Sequence, residues 1–123
     1  MKGIGDLFVI RVAGNILDSF GLGSIEYGLK HLGCKLVLVL GHTKCGAIHA
    51  ALESDEDSFI GILTSRIKSQ IGNTKDSIIA SKNNVKAEIK YINEELISKD
   101  NSLNDVLIKG AIYHTQTGKV EIL

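Results

Sequence analysis

Lys35-Leu36-Val37-Leu38-Val39-Leu40-Gly41-His42-Thr43-Lys44-Cys45-Gly46-Ala47 decides the fold. Its first six residues are apolar on both alternating faces. That pattern predicts a strand covered on both sides, as in a parallel sheet. Gly41 ends the run, and Ala47, Ile48, Ala50, Ala51 and Leu52 continue it as a helix. Upstream, Leu7–Val12 is short, apolar and β-branched, and reads as a second buried strand ended by Ala13-Gly14-Asn15. The interval between the two has helical spacing, with Ser24 as its expected N-cap and Gly33 as its C′ residue. Strand, helix, strand in this order makes a βαβ unit.

Downstream, Phe59, Ile60, Leu63, Ile67 and Ile71 recur at helical intervals up to the Gly72-Asn73 stop. A short helix is expected over 75–81. Asn83 or Asn84 then caps another, whose stripe is Val85, Ile89, Ile92 and Leu96. The Lys82, Lys86 and Lys90 series lies on its wet face, and 99–104 is a polar loop. Val106–Tyr113 and Lys119–Leu123 read as strands around a Thr117-Gly118 turn. The expected fold class is α/β: a small, mostly parallel sheet flanked by helices, with a C-terminal hairpin. With 123 residues and no linker or repeat, one domain over 1–123 is expected.

Composition narrows the function. Fourteen basic residues balance fourteen acidic ones, which disfavours nucleic acid and a polybasic membrane anchor as partners. Three Phe, three Tyr and no Trp disfavour base-stacking platforms. Two cysteines make no disulfide scaffold. Nothing reads as a signal peptide or a membrane span, so a cytoplasmic location with reduced thiols is expected. The acidic run Glu53–Asp57 reads as a solvated loop or helix start.

Chemistry concentrates at His42 and Cys45. Ligands of open α/β sheets gather at the carboxyl ends of strands, and imidazole and thiolate both bind zinc. Cys45 precedes a helix, whose positive end favours a thiolate. Gly46 permits close backbone approach to a ligand. The same residues also suit a buried structural cysteine and a capping histidine. Spacing does not choose, because two ligands do not make a zinc site.

Gly41-His42-Thr43-Lys44-Cys45-Gly46-Ala47 resembles the second zinc motif of the β-class carbonic anhydrases. Gly5–Asn15 is similar to that family's second strand and turn. Ser24-Ile25-Glu26-Tyr27 is similar to its next helix, and Ile108–Tyr113 with Thr117–Val120 to its closing hairpin. The resemblance implies a zinc ion held by Cys, His and Cys, with His42 and Cys45 as second and third ligands. It makes Gly14, Asn15 and Gly46 pocket residues, and implies reversible hydration of CO2 to bicarbonate.

The chain departs from the family in one respect. The family's first ligand lies in a Cys-x-Asp-x-Arg motif ahead of the second strand, and no such motif occurs here. The chain thus reads as N-terminally truncated, without the Asp-Arg pair and with no certain catalytic residue. Cys34 sits about eight residues of about 3.3 Å from His42, at the opposite end of its strand, and reads as a small hydrophobe. His49 shares a helical face with Cys45 and is a replacement ligand to test. Nothing fixes Asp18 as a ligand. His31 and His114 read as surface or loop residues.

The family strand that carries the missing motif lies between the two strands read here as 7–12 and 35–40. Either these pair directly or another chain fills the gap. An open edge invites intermolecular pairing, so a homodimer or higher oligomer is expected. Three readings follow. One is a zinc-dependent carbonic anhydrase (carbonate dehydratase, a lyase). The second is a truncated, non-catalytic paralogue serving as an oligomeric structural or binding protein, favoured for the isolated chain by the incomplete site. The third is a related hydrolase of another small linear molecule such as carbon disulfide.

Overall fold

The computed structural model describes residues 3–53 and 56–123. The chain begins with a 3-10 turn, Ala13–Asn15, followed by α1 (Ser19–His31), β1 (Leu36–His42) and α2 (Gly46–Glu53). Then come α3 (Phe59–Ile71), α4 (Ser77–Glu95), two 3-10 turns over 97–103, β2 (Leu107–His114) and β3 (Lys119–Ile122). The sheet is three-stranded and mixed, in the order β1-β2-β3. β1 and β2 are parallel, with Leu36 opposite Leu107 and His42 opposite Tyr113. Three helices form the crossover between them, as parallel pairing requires. β2 and β3 form the expected antiparallel hairpin, Ala111 opposite Ile122 and His114 opposite Lys119.

The core has two parts. Val39 and Ile112 of the sheet pack with Ile25 and Leu29 of α1 and with Val85 and Ile92 of α4. Behind the end of β1, Cys45, Ile48 and Ala51 pack with Ile67, Ile71 and Ala80. Gly41 and Gly110 let α4 approach the sheet. A methyl group on either would come within 2.8 Å of Val85.

Two expectations about the strands are corrected, and one of the two alternatives for the gap between them drops out. Leu7–Val12 is not a strand of the sheet among the described residues. A strand exists only through pairing, and the backbone bond this segment makes there is from the Asn15 amide to the Val12 carbonyl, at 2.8 Å. The segment is held by side chains instead: Phe8 lies over Gly28 and against Tyr27. Of the two alternatives, direct pairing of 7–12 with the 35–40 run is therefore not found among the described residues; β1 pairs with β2. Nor is β1 covered on both sides by the described residues. Val39 is buried, whereas Leu36, Leu38 and Leu40 are about half exposed on the other face. A continuous apolar run cannot report whether a second layer is there to cover its other face.

Two helix boundaries are also corrected. α1 starts five residues before Ser24, because Asp18 caps it, accepting from the Gly21 amide at 2.8 Å. Ser24 lies inside the helix and donates to the Phe20 carbonyl at 2.9 Å. The separate helices expected on either side of Asn83 and Asn84 are one, α4. Its cap is Asp76, whose Oδ1 accepts from the amides of Ile78 and Ile79 at 2.9 and 3.0 Å. Asn83 and Asn84 make tertiary bonds from mid-helix, to the carbonyls of Ile71 and Gly14. We expect Asp76→Ala to cost about 1 kcal/mol, measured as a lowered urea midpoint at unchanged m value.

Gly33 closes α1 in the left-handed conformation, as expected (φ 72°). The 99–104 loop is largely 3-10 turns. Lys82 of the wet face pairs with Glu121 at 3.0 Å. Of the acidic run, Ser54 and Asp55 lie outside the described residues, and Glu56 and Asp57 are exposed. No helix among the described residues is long and apolar enough to cross a membrane.

Candidate metal centre

β1 delivers its last residue, His42, to the carboxyl end of the sheet, and the chain then crosses to α2 through Thr43, Lys44 and Cys45. The crossing is short, and Lys44 adopts a positive φ of 56° to make it. It is stapled to the end of β2. The Thr43 amide donates to the Tyr113 carbonyl at 3.0 Å, and Thr43 Oγ1 both meets Thr115 Oγ1 at 3.1 Å and accepts from the Thr115 amide at 3.0 Å. In the sequence, a Thr inside a tight loop is the one visible sign of this pair.

His42 is exposed, and its Nδ1 lies 2.8 Å from the Thr43 carbonyl. A carbonyl can only accept, so in the neutral ring Nδ1 carries the proton of that bond and Nε2 keeps its lone pair. Histidine ligands of zinc are oriented by this kind of bond. Cys45 is buried, and its carbonyl accepts the first α2 bond from the His49 amide at 3.0 Å. Gly46, exposed, is the first residue of α2.

The 13–15 turn contacts β1, α2 and α3, so the structure brings Gly14 and Asn15 to the same end of the sheet as His42 and Cys45. Gly14 and Asn15 both have positive φ, 70° and 42°, and the Asn15 Nδ2 is buried without a partner among the described residues.

A polar network behind this turn was not foreseen. Arg66 Nε donates to Gln70 Oε1 at 3.0 Å. Gln70 Nε2 donates to Asn84 Oδ1 at 2.7 Å and to Glu88 Oε1 at 3.0 Å. Asn84 Nδ2 donates to the Gly14 carbonyl at 2.7 Å. Glu88 is fully buried, and Arg66 approaches it to 3.7 Å. Burial holds the Glu88 carboxyl above the ordinary glutamate range, against Gln70, Arg66 and the Leu17 backbone, which pull it down. An Asn or Glu inside an apolar helical stripe is the sequence signal for such a network.

Other candidates fall elsewhere. Cys34 is half buried at the far end of β1, packed against the first core cluster as a small hydrophobe. Asp18 is a helix cap. His31 stacks on Tyr27, and His114 pairs with Glu121. His49 is exposed on α2. Among the described residues no three His, Cys, Asp or Glu gather into a metal-binding group, so His49 does not join His42 and Cys45 in one. Catalytic zinc sites use three protein ligands. Two donors of suitable chemistry are here, and they do not make a complete set.

A family model described as carbonic anhydrase matches residues 1–120. The chain belongs to the β-carbonic anhydrase family. It is 30% identical over 135 residues to a carbonic anhydrase of Mycolicibacterium smegmatis, a match covering 98% of this chain and 65% of that protein. It is 52% identical over 56 residues to carbonic anhydrase 2 of Mycobacterium tuberculosis, covering 46% of this chain and 27% of the relative. Its fold matches that of a Coccomyxa β-carbonic anhydrase solved with acetazolamide (TM-score 0.82, 23% identity, 98% of this chain and 62% of that one). It also matches a tetrameric β-carbonic anhydrase of Sordaria macrospora (TM-score 0.81, 24% identity, 98% and 70%). The chain thus spans less than two thirds of the length of the curated carbonic anhydrases it matches.

Proposed function

We propose that this β-carbonic anhydrase chain supplies two ligands, His42 Nε2 and Cys45 Sγ, to a zinc site for the reversible hydration of CO2, and that the remaining protein ligand comes from outside the described residues. The observation that carries this reading is the His42 ring: its Nδ1 is engaged by the Thr43 carbonyl, which leaves Nε2 free at the end of β1, three residues ahead of Cys45. Zinc, when bound, lowers the pKa of its water enough to give hydroxide near neutral pH. The chain's own residues hold the two donors, close the loop through Thr43 and Thr115, and shape the floor through Gly14 and Asn15. The incomplete ligand set supports the second reading for the isolated chain, a non-catalytic oligomeric binding or structural protein.

Cobalt substitution separates the two. The carbonic anhydrase reading expects a cobalt–thiolate charge-transfer band that weakens in Cys45→Ser, ligand-field bands that change in His42→Ala, and CO2 hydration by stopped flow that both substitutions abolish. Cobalt bands insensitive to both substitutions would refute the ligand assignment. Bands that respond, with no hydration, would leave the non-catalytic reading standing.

The reading includes self-association. The β1 edge away from β2 has no strand partner among the described residues, and Leu36, Leu38 and Leu40 stand exposed beside it. Such an edge is a template for another strand. Sedimentation should show a dimer or larger species, and Leu38→Lys should shift it toward monomer. A monomeric wild type removes this part of the reading.

A further inference from the structure

The buried network behind the 13–15 turn runs in one direction. Arg66 donates to Gln70, Gln70 to Asn84, and Asn84 to the Gly14 carbonyl. Each bond polarises the next, and the series starts at a cation. It ends on a backbone that needs holding, because Asn15 is a non-glycine residue at positive φ. Gln70 is the branch point. Its oxygen is taken by Arg66, and its two Nε2 protons go to Asn84 and Glu88.

We propose that Glu88 is a pH-sensitive positioning residue that governs the 13–15 turn through Gln70 and Asn84. When the Glu88 carboxyl is neutral, Gln70 serves Asn84 fully and Asn84 fixes the Gly14 carbonyl. When Glu88 ionises, its bond from Gln70 becomes charge-assisted and shortens. Gln70 is drawn from Asn84, and the turn loosens. The groups facing Glu88 are Arg66 and Gln70 of α3, Asn84 on its own helix and the Leu17 backbone. Arg66 itself lies over the Tyr91 ring, 4.5 Å from its centre, and so stays in place as Glu88 titrates. Glu88 Oε2 is buried without a hydrogen-bond partner among the described residues. Burial disfavours the ionised state, which puts the transition above the ordinary glutamate range. The turn belongs to the proposed zinc site, but its response requires neither metal nor activity.

The test is nuclear magnetic resonance of the metal-free chain between about pH 4 and 8. The Gly14 and Asn15 amide resonances should move together with one midpoint above that of an ordinary glutamate. In Glu88→Gln they should stay still while the rest of the spectrum keeps its dispersion. In Asn84→Ala the Glu88 side-chain carbon should still titrate, with Gly14 no longer following. Resonances of 14 and 15 that ignore pH, or that titrate unchanged in Glu88→Gln, would overturn the proposal. Should Asn84→Ala not fold, hydrogen exchange of the wild-type Asn15 amide decides. This amide bonds the Val12 carbonyl. Corrected for base catalysis, its protection should fall at least fivefold as Glu88 ionises, and constant protection refutes the coupling.

Discussion

Gly14→Ala is expected to destabilise the protein by about 2–5 kcal/mol. Two costs add. A residue with a Cβ pays roughly 1–2 kcal/mol to occupy the left-handed region, and Gly14 sits there at φ 70°. The new methyl would also lie 2.8 Å from Ile67 Cδ1 and 3.3 Å from Ala47 Cβ, and overpacking costs about 1–3 kcal/mol. Ile67 is fully buried, so it has little room to yield. Urea unfolding at constant m value measures the loss. The steric part is separable: Ile67→Val removes the methyl that is struck, so the double variant should be less destabilised than the sum of the singles by about 1 kcal/mol. A loss below about 0.5 kcal/mol would mean that the turn can be rebuilt without its clamp between α2 and α3.

Ile112→Ala is the second large effect, at about 2–5 kcal/mol. Ile112 is fully buried on β2 opposite Gly41. It packs in the cluster that joins the sheet to α1 and α4. Because α4 already approaches closely over Gly41 and Gly110, it has little scope to collapse further into the space. Ile112→Val should cost only about 0.5–1.5 kcal/mol. Thermal and denaturant unfolding should agree on this ordering, and equal costs for the two substitutions would show that the site relaxes freely.

Much of this architecture was legible because it depends on local chemistry. α2 and α3 were readable from periodicity, the hairpin from its Thr117-Gly118 turn, and the end of α1 from Gly33. His42 and Cys45 were legible as a pair because a strand ended just before them. What failed, failed where long-range contact decides. Ser24 looked like a cap, but Asp18 was free to cap earlier and extended the helix. Asn83 and Asn84 looked like a break, yet their side chains are satisfied across the core, so the helix runs through them. Gln70 and Glu88 drew no notice, since a network exists only once α3 and α4 lie side by side.

The sequence by itself determined the composition of the candidate site: one histidine and one cysteine at the end of an apolar strand, with no Cys-x-Asp-x-Arg motif beside them. It also determined the apolar character of Leu7–Val12 and of Leu36–Leu40. Only the tertiary structure decided what those apolar runs do. A strand needs hydrogen-bonding neighbours, which the residues of the strand do not encode. Leu36–His42 found one in β2 and kept one open edge, whereas Leu7–Val12 found none among the described residues and remains beside α1 through Phe8. Likewise, a histidine's tautomer is set by its partner, so only the fold could show that the Thr43 carbonyl leaves His42 Nε2 available.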